Sequence, residues 1–327
     1  MKALAGLIPA GLGLAAVMAL STPAHSQARQ LGQANAALQA GEADKALALL
    51  EPLAQPGGEA EAYNLRCRVE YTLEEWDRAA SDCEQAVKLD GQSSDDHMWL
   101  ARALGQKASK ATFLNAFSLA KRARIEFEEA VRLNPRNAKA LADLGEFYYS
   151  APGVVGGGIG KSETVAAELD GVDPACAHVL RGRIAEQRKD YGTAEREYKL
   201  AIASSAHPAR QWIVLASFYR GRERWTEMES AVRSGESAAK LDKHEGVAIY
   251  NGASLLRETG RDPARAARML ESYLAGNAKT EEGPAFVAHV WLAQLKEQLG
   301  DAAAAKRERA VALSLAQEYK PAQDLKY

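Results

Sequence analysis

The sequence predicts an all-α fold, a right-handed α-solenoid of about eight helix hairpins. The main observation is a pattern that returns about every 34 residues, as in segments 141–148 (L-A-D-L-G-E-F-Y) and 212–219 (W-I-V-L-A-S-F-Y). A period of this length indicates one hairpin per unit, which buries its apolar face only by stacking on its neighbours. Aromatic residues make up 7% of the chain while alanine is abundant, which favours close-packed helices over sheets.

A small residue recurs in the first helix of each unit, where the second helix is expected to cross closely. These anchor residues are Ala34, Cys67, Ala101, Gly145, Gly182, Ala216, Ala253 and Ala293, and their spacings are 33, 34, 44, 37, 34, 37 and 40 residues. The second helices carry small residues seven apart, such as Ala79 with Ala86, which lie on one helical face. Each unit is therefore expected to be two helices packed through small residues.

Residues 28 to about 314 resemble the tetratricopeptide repeat (TPR), whose pattern is W-x2-L-G-x2-Y, then A-x3-F, then P. Segments 141–148 and 212–219 match the first half, and Pro135 and Pro174 stand where a unit ends, because proline cannot continue a helix. The segment A-P-G-V-V-G-G-G at 151–158 is similar to one in exported bacterial TPR proteins. The resemblance implies a stacked array with an inner groove lined by the first helices. Residues 314–327 are expected to form a final capping helix over the last apolar face.

Two inserts interrupt the period within the array, which is expected to span residues 27–327. About ten extra residues lie near 106–117, and they either lengthen both helices of the third unit or form a loop. The second insert, residues 151–161, is rich in glycine and is called the glycine loop below. Insertions in a repeat array map to loops that often lie on the binding side.

Residues 1–26 have the features of a cleaved secretory signal peptide. Lys2 precedes an apolar run at 4–20, and Ala24 and Ser26 are small residues suited to a cut after Ser26. A retained anchor is the alternative, but glycine, proline and alanine make the run weakly hydrophobic. No later segment is long and apolar enough to span a bilayer, so a periplasmic or secreted protein without a transmembrane segment is expected.

The charge balance indicates which class of partner to expect, and the cysteines bear on the cellular compartment. Lys plus Arg is 41 and Asp plus Glu is 43, without the basic excess typical of nucleic-acid binding. Cys67 and Cys83 fall on the two helices of one hairpin, so they form either a disulfide in an oxidising compartment or two buried thiols. Cys176 is expected to be inert packing.

Residues 156–162 (G-G-G-I-G-K-S) nearly match the phosphate-binding loop G-x-x-x-x-G-K-[ST], in which backbone N–H groups and a lysine hold phosphates. However, Val155 stands at the first required glycine, and segment 141–149 has the period of a helix instead of a buried strand. We therefore expect a flexible connection between two helices. Contact with a peptide or an anion is a second interpretation, and nucleotide binding through Lys161 and Ser162 is a third.

No arrangement of residues predicts catalysis, a cofactor or a metal. The S-x-x-K matches at 118–121 and 237–240 lack the companion motifs of penicillin-binding enzymes, and chance explains them in helices rich in alanine and lysine. The six histidines never form H-x-x-x-H. His97, His178 and His289 recur at one first-helix position, where we expect packing instead of metal binding.

The inner groove is the candidate binding site. Projecting the repeat register places in it Arg68, Tyr71, Arg102, Glu146, Tyr149, Arg183, Ile213, Arg220, Val290 and Gln294. Arginine forks onto carboxylates and tyrosine adds rigid contact area, which suits a segment with carboxylates and apolar side chains. Solvated helix faces are the alternative interpretation of the arginines.

These observations predict a non-enzymatic scaffold of the bacterial periplasm or envelope that binds a protein or peptide segment in its inner groove. Two alternatives remain open at this stage. One is a nucleotide- or phosphate-binding protein that uses residues 156–162. The other is a structural, self-assembling envelope subunit whose groove is filled by its own chain or by a second copy.

Overall fold

The computed structural model describes residues 23–242 and 245–326 of the chain. Within them, 17 α-helices follow one another: α1 (Pro23–Ala40), α2 (Ala43–Leu50), α3 (Ala60–Thr72), α4 (Trp76–Leu89), α5 (Ser94–Lys110), α6 (Phe113–Leu133), α7 (Ala138–Ser150), α8 (Ile159–Asp170), α9 (Pro174–Gln187), α10 (Tyr191–Ser204), α11 (Ala209–Gly221), α12 (Trp225–Leu241), α13 (Gly246–Glu258), α14 (Pro263–Ala275), α15 (Ala285–Gln298), α16 (Ala302–Leu315) and α17 (Lys320–Gln323). Consecutive helices from α1 to α16 pair into eight hairpins, so the predicted all-α solenoid is confirmed. The first 22 residues of the predicted leader, 1–26, lie outside the described residues.

Several helices begin at a residue whose side chain caps the first turn. The side chains of Asn137, Asp173, Asp190 and Asp301 each accept a hydrogen bond from the backbone N–H three residues on. Such caps satisfy an amide that has no partner within the helix, and each contributes about 1 kcal/mol. These boundaries are therefore set by local sequence.

Small anchor residues let the two helices of each hairpin approach closely. All eight anchors are buried, and those that are alanine have no exposed surface. At Gly182, an added Cβ would lie 2.4 Å from the ring of Tyr198, and at Gly145 it would lie 2.3 Å from Leu180. A bulky neighbour thus requires glycine at these two positions.

The turn inside a hairpin depends on whether the unit carries an insert. The turns of the six hairpins without an insert use residues in the left-handed region: Gly41, Glu74, Lys189, Glu223 and Gly300 one to a turn, and Gly260 together with Asp262 between α13 and α14. The insert near 106–117 lengthens both of its helices, so that α5 has 17 residues and α6 has 21. The glycine loop contains a 3-10 turn at Gly153–Val155.

A disulfide joins Cys67 of α3 to Cys83 of α4, with 5.4 Å between their Cα atoms. Both residues are fully buried at the contact between the two helices. A cross-link over 16 residues stabilises the folded state by about 3 kcal/mol, chiefly by restricting the unfolded chain. Cys176 is a free, partly buried thiol, and burial raises its pKa to about 12, which makes it unreactive.

The end of the array packs against its beginning. The backbone N–H of Gln317 donates to Asp44 at 2.8 Å, and Arg78 lies 3.7 Å from Glu318. Tyr319 is 4% exposed and packs edge-on against Phe286 with 4.8 Å between the ring centroids. A single apolar cluster accordingly includes residues from both the first and the last units.

This closure changes the expected C-terminal cap. In place of a capping helix over 314–327, α16 ends at Leu315 and a single turn, α17, follows. The terminal faces of a solenoid are apolar and need a cover. Here part of that cover comes from the opposite end of the chain. None of the helices in the described part of the chain is long and apolar enough to cross a membrane.

Candidate partner-binding groove

A cavity of about 750 Å³ lies on the inner face of the second to fourth units. Most of its walls come from the first helices α3, α5 and α7, and the rest come from Phe127 of α6, Arg210 of α11 and the loop that joins α14 to α15. The aromatic rings that line it are Tyr71, Trp99, Phe127 and Phe147. Aromatic residues at the centre of a groove supply much of the energy of partner binding in protein interfaces.

Trp99 is the centre of the aromatic wall. Its ring lies edge-on to Tyr71, with 5.4 Å between the centroids. The guanidinium groups of Arg102 and Arg68 lie 4.6 Å and 5.5 Å from the centroid of the same ring. Positions three apart on a helix share a face, which explains why α3 presents Arg68 with Tyr71 and α5 presents Trp99 with Arg102.

Two acidic residues of α7 complete this wall. Asp143 accepts a hydrogen bond from Arg102 Nε at 2.6 Å. Burial raises the pKa of Asp143, while the charge of Arg102 opposes that rise. Glu146 is exposed inside the concave groove, and partial desolvation there raises its pKa. The wall therefore holds positive and negative groups side by side.

A second polar group adjoins the cavity on the side of the fifth unit. Burial raises the pKa of Tyr149 to about 12, and Arg183 of α9 opposes that rise. Arg183 lies 3.4 Å from Glu186 and 5.9 Å from the ring centroid of Tyr198. These residues extend the mixed-charge surface along the groove.

Eight of the ten predicted groove residues fall into three groups: at the cavity, beside it and apart from it. Tyr71, Arg102 and Glu146 line the cavity and Arg68 adjoins it, while Tyr149 and Arg183 lie beside it. Arg220 lies apart from the cavity and pairs with Glu258 of α13. Gln294 is exposed and receives a hydrogen bond from Arg257.

Two of the projected groove residues belong to the core. Ile213 is 6% exposed and Val290 is 2% exposed. A Cβ added at Gly252 of α13 would lie 3.2 Å from the side chain of Ile213, so this face of α11 packs against the next unit. The projection was wrong here because the inner and stacking faces of a first helix differ by less than one turn.

Residues 276–284, called the acidic loop below, reach into the groove from the far end of the chain. Glu281 accepts two hydrogen bonds from Arg68, both at 2.8 Å, across 213 residues of sequence. Glu282 lies 2.7 Å from Arg210 of α11 and 3.9 Å from Lys139 of α7. The repeat register did not predict this loop, although the spacing of 40 residues between Ala253 and Ala293 was a signal for it.

The predicted groove arginines all have acidic partners in the chain. Arg68 pairs with Glu281, Arg102 with Asp143, Arg183 with Glu186 and Arg220 with Glu258. A partner carboxylate would therefore have to replace an existing one. The charge pattern alone does not single out an acidic partner.

The glycine loop uses its own donors internally. The amides of Gly156 and Gly157 donate to the carbonyls of Gly153 and Pro152 in the same loop, at 2.9 and 3.2 Å, and the amide of Gly158 donates to the carbonyl of Tyr148 in α7 at 2.7 Å. Lys161 Nζ donates to the carbonyl of Gly156 at 3.0 Å, and the fully buried Ser162 Oγ donates to the carbonyl of Gly145 at 2.8 Å. Since the loop also follows a helix, nucleotide binding through this motif is not favoured.

The three recurrent histidines form hydrogen bonds within their hairpins. The Nδ1 atoms of His97, His178 and His289 lie 2.6, 2.8 and 2.6 Å from Glu126, Glu197 and Glu308 of the second helices. These hydrogen bonds join the first helix of each unit to its second helix, and they contribute to the packing of the hairpin. Within residues 23–242 and 245–326, no three His, Cys, Asp or Glu side chains converge as metal ligands would. The side chains of His25 and His244 lie outside the described part.

No protein-family model matches the chain, and no curated protein matches its sequence. Among solved structures, it is similar to a thermophilic TPR protein of Thermus thermophilus, at 18% identity and a TM-score of 0.50, over 59% of this chain and 98% of that one. It is also similar to yeast Tom70, at 15% identity and a TM-score of 0.53, over 84% of this chain and 55% of Tom70. The hairpin array of this chain therefore has a TPR-like fold.

Proposed function

We propose that this protein is a non-enzymatic scaffold of the bacterial periplasm or envelope that binds a peptide segment of a partner protein in its inner groove. The observation that carries the proposal is the cavity of about 750 Å³ with an aromatic wall between α3, α5 and α7. Its size falls in the range of roughly 300–1,000 Å³ common for ligand sites, and most of its walls come from helices, which hold side chains more precisely than loops do.

The lining of the cavity suits a segment with both apolar and polar groups. Tyr71, Trp99 and Phe147 offer ring surface for an apolar side chain. Gln106 and Ser150 line the same cavity and can exchange hydrogen bonds with the backbone of an extended segment. An aromatic centre with a polar rim is the usual anatomy of a protein interface.

Crosslinking from defined positions tests the groove. A photo-crosslinking residue at Ser109 or Ser150, both exposed in the lining, should capture a partner in cells, whereas the same residue at exposed Ser314 on α16 should not. The groove-blocking variant Ser109→Trp/Ser150→Trp should lose co-purification of that partner, and Ser314→Trp should keep it. Equal capture from all three positions would contradict the proposal.

Export is a separate part of the proposal, supported by the features of residues 1–26 and by the Cys67–Cys83 disulfide, which is typical of oxidising compartments. N-terminal sequencing of the protein purified from cells checks it. The expected first residue is Gln27. A mature chain that begins at Met1 would contradict cleavage.

A further inference from the structure

The insert near 106–117 gives the third unit a tip that projects beyond its neighbours. Helix α5 ends at Lys110, nine residues past its anchor Ala101, whereas α3 and α7 each end five residues past theirs. A helix rises by about 1.5 Å per residue, so α5 reaches about 6 Å further than these two helices. The turn that follows it and the start of α6 therefore stand clear of the adjacent hairpins.

Two consecutive apolar side chains are exposed at this tip. Phe113 is 84% exposed and Leu114 is 80% exposed, and both lie in the first turn of α6. Among the residues that the structure describes, no other two consecutive large apolar residues are both exposed. Contact between apolar surface and water is unfavourable, so a pair of this kind at a projecting tip indicates an interaction surface.

The tip is also rich in positive charge. Residues 97–125 contain no Asp or Glu, and their six Lys and Arg residues are Arg102, Lys107, Lys110, Lys121, Arg122 and Arg124. Four of the six pair with acidic residues outside this segment. Lys110 and Lys121 are exposed, and no described Asp or Glu pairs with either of them. These two ammonium groups are available to an anionic partner.

A cavity of about 520 Å³ adjoins the tip on the side of the second unit. Lys110, Asn115 and Ser118 line it, and their side chains can donate hydrogen bonds to phosphate oxygens. Lys107 and Asp77 line it too and lie 2.9 Å apart, so their charges compensate each other. The charge of Lys110 is therefore left for an anion in this cavity.

A bilayer that contains anionic phospholipids fits these features better than a protein partner does. Two apolar side chains at a projecting tip can enter the boundary between headgroups and acyl chains, while long lysine side chains remain at the level of the phosphates. A stable protein interface needs about 800 Å² from each partner, which a single projecting tip does not offer. The turn of the second unit carries Glu74 and Glu75, so only the projecting tip suits an anionic surface.

We propose that the tip of the third unit is a docking site for an anionic phospholipid bilayer, in which Phe113 and Leu114 enter the acyl boundary and Lys110 and Lys121 face the phosphates. The cavity beside Lys110 receives one phosphodiester headgroup. None of these four residues lines the groove cavity, so the inference goes beyond the proposed function and does not rest on it.

Sedimentation of the purified protein with vesicles tests the docking. The probe vesicles are an equal mixture of phosphatidylglycerol and phosphatidylcholine, and the control vesicles are phosphatidylcholine alone. The protein should bind the probe vesicles about tenfold or more tightly than the control vesicles, and salt at about 0.5 M should weaken that binding. Lys110→Gln/Lys121→Gln should lose most of the difference between the two kinds of vesicle.

The contribution of the apolar pair is measured with Phe113→Ala/Leu114→Ala. This variant should bind the probe vesicles about tenfold or more weakly, because alanine leaves little apolar surface to enter the bilayer. Leu89→Ala is the matched control, since Leu89 is 50% exposed at the end of α4, away from the hairpin turns, and it should bind as the unaltered protein does. No binding by the unaltered protein, or equal binding by all three proteins, would overturn the inference. Displacement of the vesicles by inorganic phosphate at constant ionic strength would replace it with a site for free phosphate.

A second measurement reports on the tip itself. An environment-sensitive NBD dye on Leu114→Cys should brighten severalfold with probe vesicles, because it enters an apolar medium, whereas the same dye on exposed Ser314→Cys should not. The disulfide-bonded cysteines do not react with the dye, and the raised pKa of Cys176 limits its reaction. An unchanged signal at position 114 would overturn the inference even if the protein sedimented with vesicles through residues 1–26. Photo-crosslinking from Phe113 in cells that captures a protein in place of lipid would also overturn it, in favour of a protein interface.

Discussion

The glycine loop and the acidic loop both interrupt the repeat, yet their roles in the structure are opposite. The glycine loop is held within its own hairpin, because Gly156 and Gly157 donate to carbonyls of the loop and Gly158 donates to the carbonyl of Tyr148 in α7. The tip of the acidic loop contacts three other units through Glu281 and Glu282. The comparison teaches that glycine content describes the local path of the backbone, whereas a pair of charges at an irregular spacing can indicate a distant contact.

The largest loss in the free energy of unfolding is expected where the glycine loop leaves least room for an added Cβ. A Cβ added at Gly157 would lie 1.9 Å from the carbonyl oxygen of Ala151, so Gly157→Ala forces a backbone shift. We expect a loss of about 2–3 kcal/mol in the free energy of unfolding, as for other strained backbone sites. Urea denaturation measures it.

Gly160→Ala is the matched control, because no atom lies within 4 Å of its added Cβ and the residue is in the first turn of α8. It should change the free energy of unfolding by less than about 1 kcal/mol, in the stabilising direction. If the two variants unfold alike, the glycine loop is not held by its own backbone and the contrast with the acidic loop fails.

The contact between the two ends of the array predicts that the free energy of unfolding depends on pH through Glu70 of α3. This side chain is buried, and its Oε2 lacks a hydrogen-bond partner within the protein. It faces a cavity at the junction of the two ends, which Asp44, Arg78 and Glu318 also line. Burial first and the neighbouring Asp82 second raise the pKa of Glu70 to about 8.

The sign of the effect follows from that raised pKa. A carboxyl whose pKa is higher in the folded than in the unfolded state contributes stability below its unfolded pKa, near 4.5, and loses it as the pH rises through about 8. We expect the free energy of unfolding to fall by on the order of 2 kcal/mol between pH 5 and pH 8.5. Glu70→Gln should remove most of this fall.

Parallel denaturation of the two proteins across this pH range isolates Glu70 together with its interaction with Asp82, since groups away from this pair titrate alike in both. Asp96, whose pKa burial raises to about 6, contributes with the same sign to each curve. Identical slopes above pH 6.5 would show that Glu70 is ionised in the folded protein, and the junction of the ends would then be more open than the contacts of Asp44 and Glu318 indicate.

The repeat register predicted the hairpins because it depends on local spacing. Small anchors such as Ala216 and Gly182 are required wherever two helices cross, and that requirement is visible in the sequence. The presence of Tyr71, Arg102 and Glu146 in one cavity was predicted for the same reason, since each side chain's direction follows from its place on a first helix.

The partners of those side chains could not be predicted from spacing. The pairing of Arg68 with Glu281 arises only when the ends of the array meet across 213 residues. Ile213 was assigned to the groove although it packs in the core, where its side chain approaches Gly252 of the next unit. The repeat register describes one unit, so it does not predict contacts that depend on the curvature of the whole stack.

The smallest change in the free energy of unfolding is expected for Lys161→Ala, a substitution at the end of the glycine loop. Lys161→Ala removes an exposed hydrogen bond from Nζ to the carbonyl of Gly156 and a contact 5.2 Å from the ring centroid of Tyr148. We expect a loss of about 0.5 kcal/mol or less in the free energy of unfolding, as for other exposed contacts. Isothermal titration of ATP and of inorganic phosphate into both proteins should show no micromolar binding. Binding that disappears in Lys161→Ala would mean that Lys161 leaves Gly156 to meet phosphate, and the glycine loop would then be the one with an external ligand.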